Sequence, residues 1–223
     1  MKGFLAVFLC VCLLCVPVRG QPNEKLVALT FDDGPSGRFT RRLLEGLDTL
    51  DVQATFFLCG YRIAQYPELT EKIFQEGHEI GFHGYSHKSM KTMGAQEIME
   101  ELQKTQALLP EGCEQKFLRC PGGICSECTC DIAGKMGLSL AYWSVDPQDW
   151  NSRDSFAIAN DVIRQVKDGD IILMHDMSDS SVDAALEIIR QLTVKGYRFV
   201  TLSQLAEMKG ISLVPGTVYS YFR

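Results

Sequence analysis

The chain has 223 residues and a formal net charge of −6, with 46% apolar and 22% charged residues. This length suits one domain with a sizeable core, and the composition is that of a folded globular protein. The acidic balance, without blocks of basic residues, argues against nucleic acid as a partner.

The first twenty residues, MKGFLAVFLCVCLLCVPVRG, have the pattern of a secretory signal peptide. An early lysine precedes an apolar run from Phe4 to Val16, and small residues stand at the expected cleavage site. This run is short for a membrane span, so an uncleaved anchor is the lesser alternative, and no later stretch is long enough to be a span. We expect a secreted or cell-envelope protein with residues 21–223 as its mature domain.

Six of the nine cysteines lie in this mature region, and five of these crowd into residues 113–130. In an oxidising compartment they predict a loop crosslinked by disulfides, with the pairing left open. The alternative is a zinc knot built on a CxxC pair, which would need a second well-spaced ligand pair. The six are Cys59, Cys113, Cys120, Cys125, Cys128 and Cys130.

Strand patterns alternate with amphipathic helix patterns along the mature region. The seven predicted strands are Lys25–Phe31, Ala54–Leu58, Glu79–Phe82, Lys116–Arg119, Ser139–Val145, Asp170–Met174 and Arg198–Thr201. The predicted helices lie within 37–50, 67–77, 94–109, 130–137, 154–169 and 181–196. This alternation predicts parallel βα units, hence an α/β fold, and their number suits a complete or incomplete barrel. No GxGxxG follows any strand, which excludes a Rossmann dinucleotide site.

Polar residues follow the predicted strands at the face where a parallel barrel places its active site. The segments are FDDGP (31–35), HGYSH (83–87), RCPGG (119–123), DPQDW (146–150) and LMHD (173–176). Three of the four histidines lie in them. Groups suited to hydrolytic chemistry are therefore expected to meet at one end of the barrel.

His83 and His87 have the i, i+4 spacing that lets two imidazoles on a helical turn bind one ion. Alone, this pattern is a weak signal. A carboxylate from Asp32 or Asp33 would complete a two-histidine, one-aspartate set with positions open for water and substrate. The cation would also offset the repulsion between the adjacent carboxylates. One aspartate then binds the ion and the other acts as general base, with an ordinary Asp-Gly turn as the alternative.

His175 is the candidate general acid, because imidazole titrates near neutral pH; a core histidine is the alternative. Arg119 can hold a carboxylate ionised, and Asp149 can orient an imidazole and raise its pKa. Structural ion pairs would explain these two residues nearly as well. Trp150 and Leu173 are expected to pack, and either can line a sugar or acyl pocket.

Taken in order, TFDDGP, HGYSH, RCPGG, DPQDW and LMH resemble the motifs of the polysaccharide deacetylase (NodB homology) domain of carbohydrate esterase family 4. The resemblance spans roughly Lys25 to Met208. It implies a distorted (β/α)7 barrel that hydrolyses N-acetyl groups of an amino-sugar polymer, such as peptidoglycan or a chitin-like glycan. It also implies one divalent ion, for which the ligand set favours Zn²⁺ over Co²⁺ or Mn²⁺. A monomer is expected.

The resemblance also implies a role for each residue of the site. The implied roles are general base for Asp32, general acid for His175, metal ligand for Asp33, His83 and His87, orientation of the base for Arg119, tuning of the acid for Asp149, and lining of the acetate pocket for Trp150 and Leu173. Two positions depart from the family pattern. Gly84 replaces a common Ser or Thr and lacks its hydrogen bond, and Gly122 replaces a common aromatic while keeping a backbone N–H for the oxyanion.

Two other functions stay open at this point. The same site can cleave esters, so an O-acetyl esterase acting on xylan-like glycans is the first alternative. A secreted glycan-binding protein whose catalysis has decayed is the second. The full set of acid, base and metal-binding candidates argues against decay.

Overall fold

The computed structural model describes residues 24–223, and the signal peptide predicted for residues 1–20 lies outside this range. The strands are β1 (Lys25–Asp32), β2 (Thr55–Leu58), β3 (Glu79–Phe82), β4 (Phe117–Leu118), β5 (Ser139–Ala141), β6 (Ile171–His175), β7 (Tyr197–Phe199) and β8 (Val218–Tyr219). The α-helices are α1 (Arg38–Thr49), α2 (Gly60–Gln65), α3 (Pro67–Gln75), α4 (Ala95–Gln106), α5 (Glu127–Lys135), α6 (Ser155–Gln165), α7 (Asp179–Val194) and α8 (Leu202–Met208). Within the described range, no helix has the length and apolar character needed to cross a membrane.

The strands form one parallel sheet in the order β6-β1-β2-β3-β4-β5-β8, and β7 pairs with the start of β1. A single parallel bridge between Val145 and Ile172 connects the segment after β5 to β6. The sheet therefore curls into an irregular barrel, which confirms the distorted α/β barrel expected from the sequence. The predicted strand Ser139–Val145 is split, because its first half pairs with β4 and its end, at Ser144 and Val145, bonds to β6.

The sequence prediction missed three of the described elements, namely α2, α8 and β8. β8 has only two residues, too few to show the alternation that identifies a strand. It exists because it pairs with β5 through Leu140 and Ala141. α2 and α8 have six and seven residues, which is less than the length over which helical periodicity is visible.

β1 lies at the centre of the fold, and seven of its eight residues are buried. Its side chains alternate between two layers, as the pleat of a strand requires. Val27, Leu29 and Phe31 pack in the layer that contains the apolar faces of α1 and α7. Leu26 and Ala28 face the opposite layer, where side chains of β2, β4, β5 and β6 meet. This alternation places the next even-numbered residues, Thr30 and Asp32, on the inner side of the barrel.

The disulfide prediction is confirmed for one pair, Cys120–Cys125, whose Cα atoms lie 5.9 Å apart. A zinc knot would depend on the thiols of Cys125 and Cys128, the CxxC pair. Cys125 is used in the disulfide, and only Cys128 keeps a free thiol. Cys59, Cys113 and Cys130 are also free. The crosslinked loop contains Gly122 and begins directly after Arg119, so the disulfide restrains a segment at the barrel mouth.

Candidate active site

The register of the parallel strands brings the predicted site residues to one end of the barrel. Asp32 is the last residue of β1 and pairs with His175, the last residue of β6. His83 and Arg119 each follow a strand and extend its pairing by one residue. The His83 N–H donates to the Leu58 carbonyl at 3.0 Å, and the Arg119 N–H donates to the Phe82 carbonyl at 2.9 Å.

Asp33, His83 and His87 form a cluster whose ligand atoms all lie within 4.8 Å of one another. Oδ1 of Asp33 is 3.2 Å from Nε2 of His83 and 2.9 Å from Nε2 of His87. Burial raises the pKa of Asp33, but the close contacts and charges of the two imidazoles outweigh it and hold this pKa well below its usual range. Contact with Asp33 raises the pKa of His87, against the effect of its burial.

The cluster fits a divalent cation on two further observations. Among residues 24–223, no group hydrogen-bonds the buried Oδ1 of Asp33, so a strong acceptor is left unsatisfied between two imidazoles. Nδ1 of His83 lies 2.8 Å from the carbonyl oxygen of Arg119, which leaves Nε2 as the ligand atom. One carboxylate oxygen and two imidazole nitrogens are the donor set of many catalytic zinc sites.

The expectation that His83 and His87 share a helical turn is wrong. His83 directly follows β3, and residues 83–87 form an irregular loop. Gly84 and His87 both have left-handed backbones, with φ of 75° and 59°. The two imidazoles meet because the loop reverses, and they are held by its tertiary contacts instead of by helical spacing.

Asp33 also has a left-handed backbone, with φ of 72°. This conformation explains how adjacent side chains can both face the barrel mouth, which a regular strand forbids. It costs a non-glycine residue about 1–3 kcal/mol, so the surrounding structure must impose it. A Cβ atom on the following residue, Gly34, would lie 2.7 Å from a carboxylate oxygen of Asp176, so only glycine fits there.

Asp32 is paired with the fully buried guanidinium of Arg119. Nη1 of Arg119 donates to Oδ1 of Asp32 at 2.7 Å and to the Thr30 hydroxyl at 2.8 Å. Nε and Nη2 donate to the carbonyls of Ala141 and Tyr142 at 3.0 and 2.9 Å. The bonds leave Oδ2 of Asp32 facing the cluster, 3.8 Å from Nε2 of His83. A carboxylate that is paired with a buried guanidinium and lies beside a candidate cation site is placed as a general base must be.

Replacing Arg119 with Met is expected to lower the free energy of unfolding by about 3–5 kcal/mol, because it leaves a buried carboxylate without its counter-charge. The measurement is urea denaturation of the metal-free protein. Arg41→Met is the matched control, since Arg41 is exposed on α1. If Arg119→Met lowers the free energy of unfolding no more than Arg41→Met does, Arg119 is not the counter-charge of Asp32.

His175, the register partner of Asp32, forms a second charged pair with Asp149. Oδ1 of Asp149 lies 2.8 Å from Nδ1 of His175, and Oδ2 accepts the backbone N–H of His175 at 2.9 Å. Burial lowers the pKa of His175, but its hydrogen bond to Asp149 and the charges of Asp149, Asp32 and Asp33 prevail and raise it to about 9. The imidazole is therefore protonated at neutral pH, as a general acid must be.

A cavity of about 780 Å³ opens beside these residues and is lined in part by Asp33, Asp149, Trp150 and His175. Trp150 is 67% exposed, so its ring forms part of the wall without being packed. Leu173 is 4% exposed, pairs with Thr30 across the strands, and does not line this cavity. Gly122 does not line it either; it has a left-handed backbone in the turn that follows Arg119.

Sequence reasoning missed three buried or half-buried polar residues near the site. Thr30 bridges Arg119 and the Ile172 carbonyl, but inside an apolar strand it resembles an ordinary β-branched residue. Asp176 is fully buried and accepts a hydrogen bond from Thr40, and burial raises its pKa to about 6. Its position directly after His175 was the available signal. Glu101 lies among the charges of an amphipathic helix, and nothing in that pattern distinguishes it.

Comparison with known proteins gives a consistent result. The sequence profile described as polysaccharide deacetylase matches residues 19–141. The peptidoglycan-N-acetylmuramic acid deacetylase PdaC of Bacillus subtilis is 40% identical over 192 residues, which are 85% of this chain and 40% of that protein. A peptidoglycan-N-acetylglucosamine deacetylase of Bacillus cereus is 34% identical, with 84% of this chain and 91% of that protein covered.

A solved structure shares the fold as well. The family 4 acetyl xylan esterase of Clostridium thermocellum, in complex with a cobalt ion, superposes with a TM-score of 0.83 at 34% identity. The match covers 88% of this chain and 98% of that one. Fold, site and relatives together define the class as hydrolases that remove acetyl groups from carbohydrates. The chain belongs to the polysaccharide deacetylase family, which is carbohydrate esterase family 4.

Proposed function

We propose that the chain is a metal-dependent deacetylase that removes N-acetyl groups from an amino-sugar polymer, with peptidoglycan as the first candidate. The observation that carries the proposal is the cluster of Asp33, His83 and His87 at the same end of the barrel as the Asp32–Arg119 and Asp149–His175 pairs. Relatives named as peptidoglycan deacetylases support the choice of polymer.

The cluster would hold one divalent cation, with Zn²⁺ preferred and Co²⁺ or Mn²⁺ compatible with the same ligands. When bound, the ion supplies Lewis-acid stabilisation of developing negative charge and lowers the pKa of water. Asp33 provides the only carboxylate of the set, and His83 Nδ1 is occupied by the Arg119 carbonyl. His83 is therefore available as a ligand through Nε2, and Nε2 of His87 lies 2.9 Å from Oδ1 of Asp33.

The chain's own residues account for the proton transfers of the hydrolysis. Oδ2 of Asp32 accepts a proton from the water that attacks the acetyl carbonyl carbon, while Arg119 keeps the carboxylate oriented through Oδ1. The backbone N–H of Gly122, which lies outside the described cavity in the turn after Arg119, is the proposed donor to the developing oxyanion. Protonated His175 gives its proton to the sugar nitrogen as the carbon–nitrogen bond breaks. The products are acetate and a free amine.

O-acetyl ester hydrolysis is the second candidate, because the acetyl xylan esterase shares this fold at 34% identity. An alcohol is a better leaving group than an amine, so the same acid and base can serve both reactions. The two candidates differ in which acetylated polymer is accepted.

Removal of divalent ions is expected to abolish acetate release, and defined add-back of Zn²⁺, Co²⁺ or Mn²⁺ is expected to restore it. The measurement is acetate released from peptidoglycan, N-acetylglucosamine oligomers and acetylated xylan. Release from the xylan alone would replace the first candidate with the second. Full activity after verified metal removal would overturn metal dependence, and a folded, inactive protein that binds glycan would revive a binding function.

The extracellular location of the protein is a separate proposal. The signal-peptide pattern of residues 1–20 supports export, and a cell-wall polymer is reached outside the membrane. N-terminal sequencing of the protein recovered from culture medium or the cell envelope tests this. A start near residue 21 is expected, and a retained first residue would contradict cleavage.

A further inference from the structure

A carboxylate from outside the site holds the loop that carries His83 and His87. Glu101 in α4 accepts hydrogen bonds through Oε2 from the backbone N–H groups of Tyr85 and Ser86, both at 2.8 Å. Its Oε1 accepts a third bond from the Ser86 hydroxyl at 2.9 Å. Because three hydrogen bonds converge on one carboxylate, this half-buried side chain attaches the irregular loop to α4.

The same loop is bound on its carbonyl side. The N–H of Gly60 donates to the Gly84 carbonyl, and the N–H of Tyr61 donates to the Tyr85 carbonyl, each at 3.0 Å. The start of α2 and the side chain of Glu101 therefore hold the loop from two directions. A Cβ on Gly84 would lie 3.3 Å from Oε2 of Glu101, so a glycine at this position leaves room for the carboxylate.

This attachment has a consequence for His87, which lies one residue beyond Ser86. Its left-handed backbone, with φ of 59°, is disfavoured for a residue with a side chain and must be imposed by neighbouring contacts. The side chain of His87 is 41% exposed, so packing alone does not fix it. The geometry of the preceding loop decides where Nε2 of His87 lies relative to Asp33.

We propose that Glu101 is a positioning residue of the metal site, which fixes residues 84–86 so that His87 Nε2 stays beside Asp33 Oδ1. The proposal rests on the metal dependence proposed above. A residue that only stabilised α4 would influence thermal stability without changing the affinity for metal. Substitution of Glu101 is expected to change both the order of residues 84–86 and the affinity for metal.

Glu101→Ala tests the proposal, with Glu101→Gln as the near-isosteric variant and Glu100→Ala as the matched control. Glu100 lies on the same helix, is exposed, and contacts Gln96 and Lys104 instead of the loop. The first readout is amide hydrogen exchange at Tyr85 and Ser86 in the metal-free protein. The second is Zn²⁺ affinity, measured by competition with a chromophoric chelator well below the melting temperature.

Glu101→Ala is expected to exchange both amides faster and to bind Zn²⁺ about 10–100-fold more weakly, the range typical when contacts that orient a metal ligand are lost. Glu101→Gln keeps an acceptor oxygen and is expected to stay close to wild type, as is Glu100→Ala. Unchanged Zn²⁺ affinity in Glu101→Ala would overturn the proposal, even with faster exchange. If the alanine variant does not fold, Glu101→Asp replaces it, since its shorter side chain withdraws the carboxylate. Unchanged affinity and exchange in that variant would also overturn the proposal.

The two proposals fail in distinguishable ways. A wild-type protein that binds no divalent ion overturns the proposed metal dependence and the positioning role with it. A wild-type protein that binds Zn²⁺, together with a Glu101→Ala variant of equal affinity, overturns the positioning role alone.

Discussion

Asp32→Asn is expected to lower acetate release by about 10²–10⁴-fold, the range contributed by a general base, while metal binding is retained. The reason is that Oδ2 of Asp32 faces the cluster but lies 3.8 Å from Nε2 of His83, beside the ligand set and outside it. Asparagine keeps an oxygen for the bond from Arg119 but cannot accept a proton from water. The measurements are kcat with the preferred glycan and Zn²⁺ content of the purified variant.

Asp33→Asn is the matched comparison, because it changes the neighbouring residue in the same chemical way. This variant is expected to lose metal, since Asp33 is the only carboxylate within the cluster. High added Zn²⁺ should therefore restore part of its activity and none of the activity of Asp32→Asn. Loss of metal from Asp32→Asn, or near-normal turnover by it, would reverse the two assignments.

Asp149→Asn is expected to move the alkaline limit of activity to lower pH by about 1–3 units, the effect of removing a charge in contact with a titrating group. In the wild type, burial opposes the charged imidazole, but the bond and charge of Asp149, together with Asp32 and Asp33, raise the pKa of His175 to about 9. Activity that depends on protonated His175 should therefore persist to about that pH and fall above it. The measurement is the pH profile of kcat/KM for both proteins.

The variant should be close to wild type at the acidic end of this profile and lose half or more of its activity at pH 8. An equal drop in kcat/KM at every pH, with the alkaline limit of activity unchanged, would show that Asp149 orients His175 without setting its protonation. His175→Ala should lose activity at all pH values, which separates loss of the acid from a change in its pKa.

The same pKa links stability to pH in the metal-free protein. A histidine whose folded pKa is raised stabilises the folded state fully below its unfolded pKa of 6.5, and this contribution is lost as pH rises through about 9. The free energy of unfolding should therefore fall by up to about 3 kcal/mol between these values. Urea denaturation of wild type and Asp149→Asn in chelator tests this, since the variant should show a smaller fall. Equal falls in the two proteins would refute the linkage.

The sequence was sufficient to locate the candidate site, because its residues follow predicted parallel strands, whose carboxyl ends share one face of a barrel. Strand register then set Asp32 opposite His175 and placed His83 and Arg119 one residue beyond their strands. Where a strand ends is a local property of the sequence, so the residues that follow each strand could be identified along the chain, whereas the register between strands came from the structure.

Contacts between distant segments could not be read in this way. The sequence suggested that two histidines share a helical turn, whereas the loop is shaped by Glu101 and by the first N–H groups of α2. Pairing of Cys120 with Cys125 among six cysteines was equally open until the loop's path was known.

By itself, the sequence determined the α/β architecture, the family, and the residue types that meet at the barrel mouth, because strand periodicity and ordered motifs are encoded locally. Only the tertiary structure decided how these residues are held. The left-handed backbones of Asp33 and His87, the four-way bonding of Arg119 and the attachment of the histidine loop to Glu101 each depend on groups far apart in the chain. Such arrangements are imposed against local backbone preference by the packing of the whole fold.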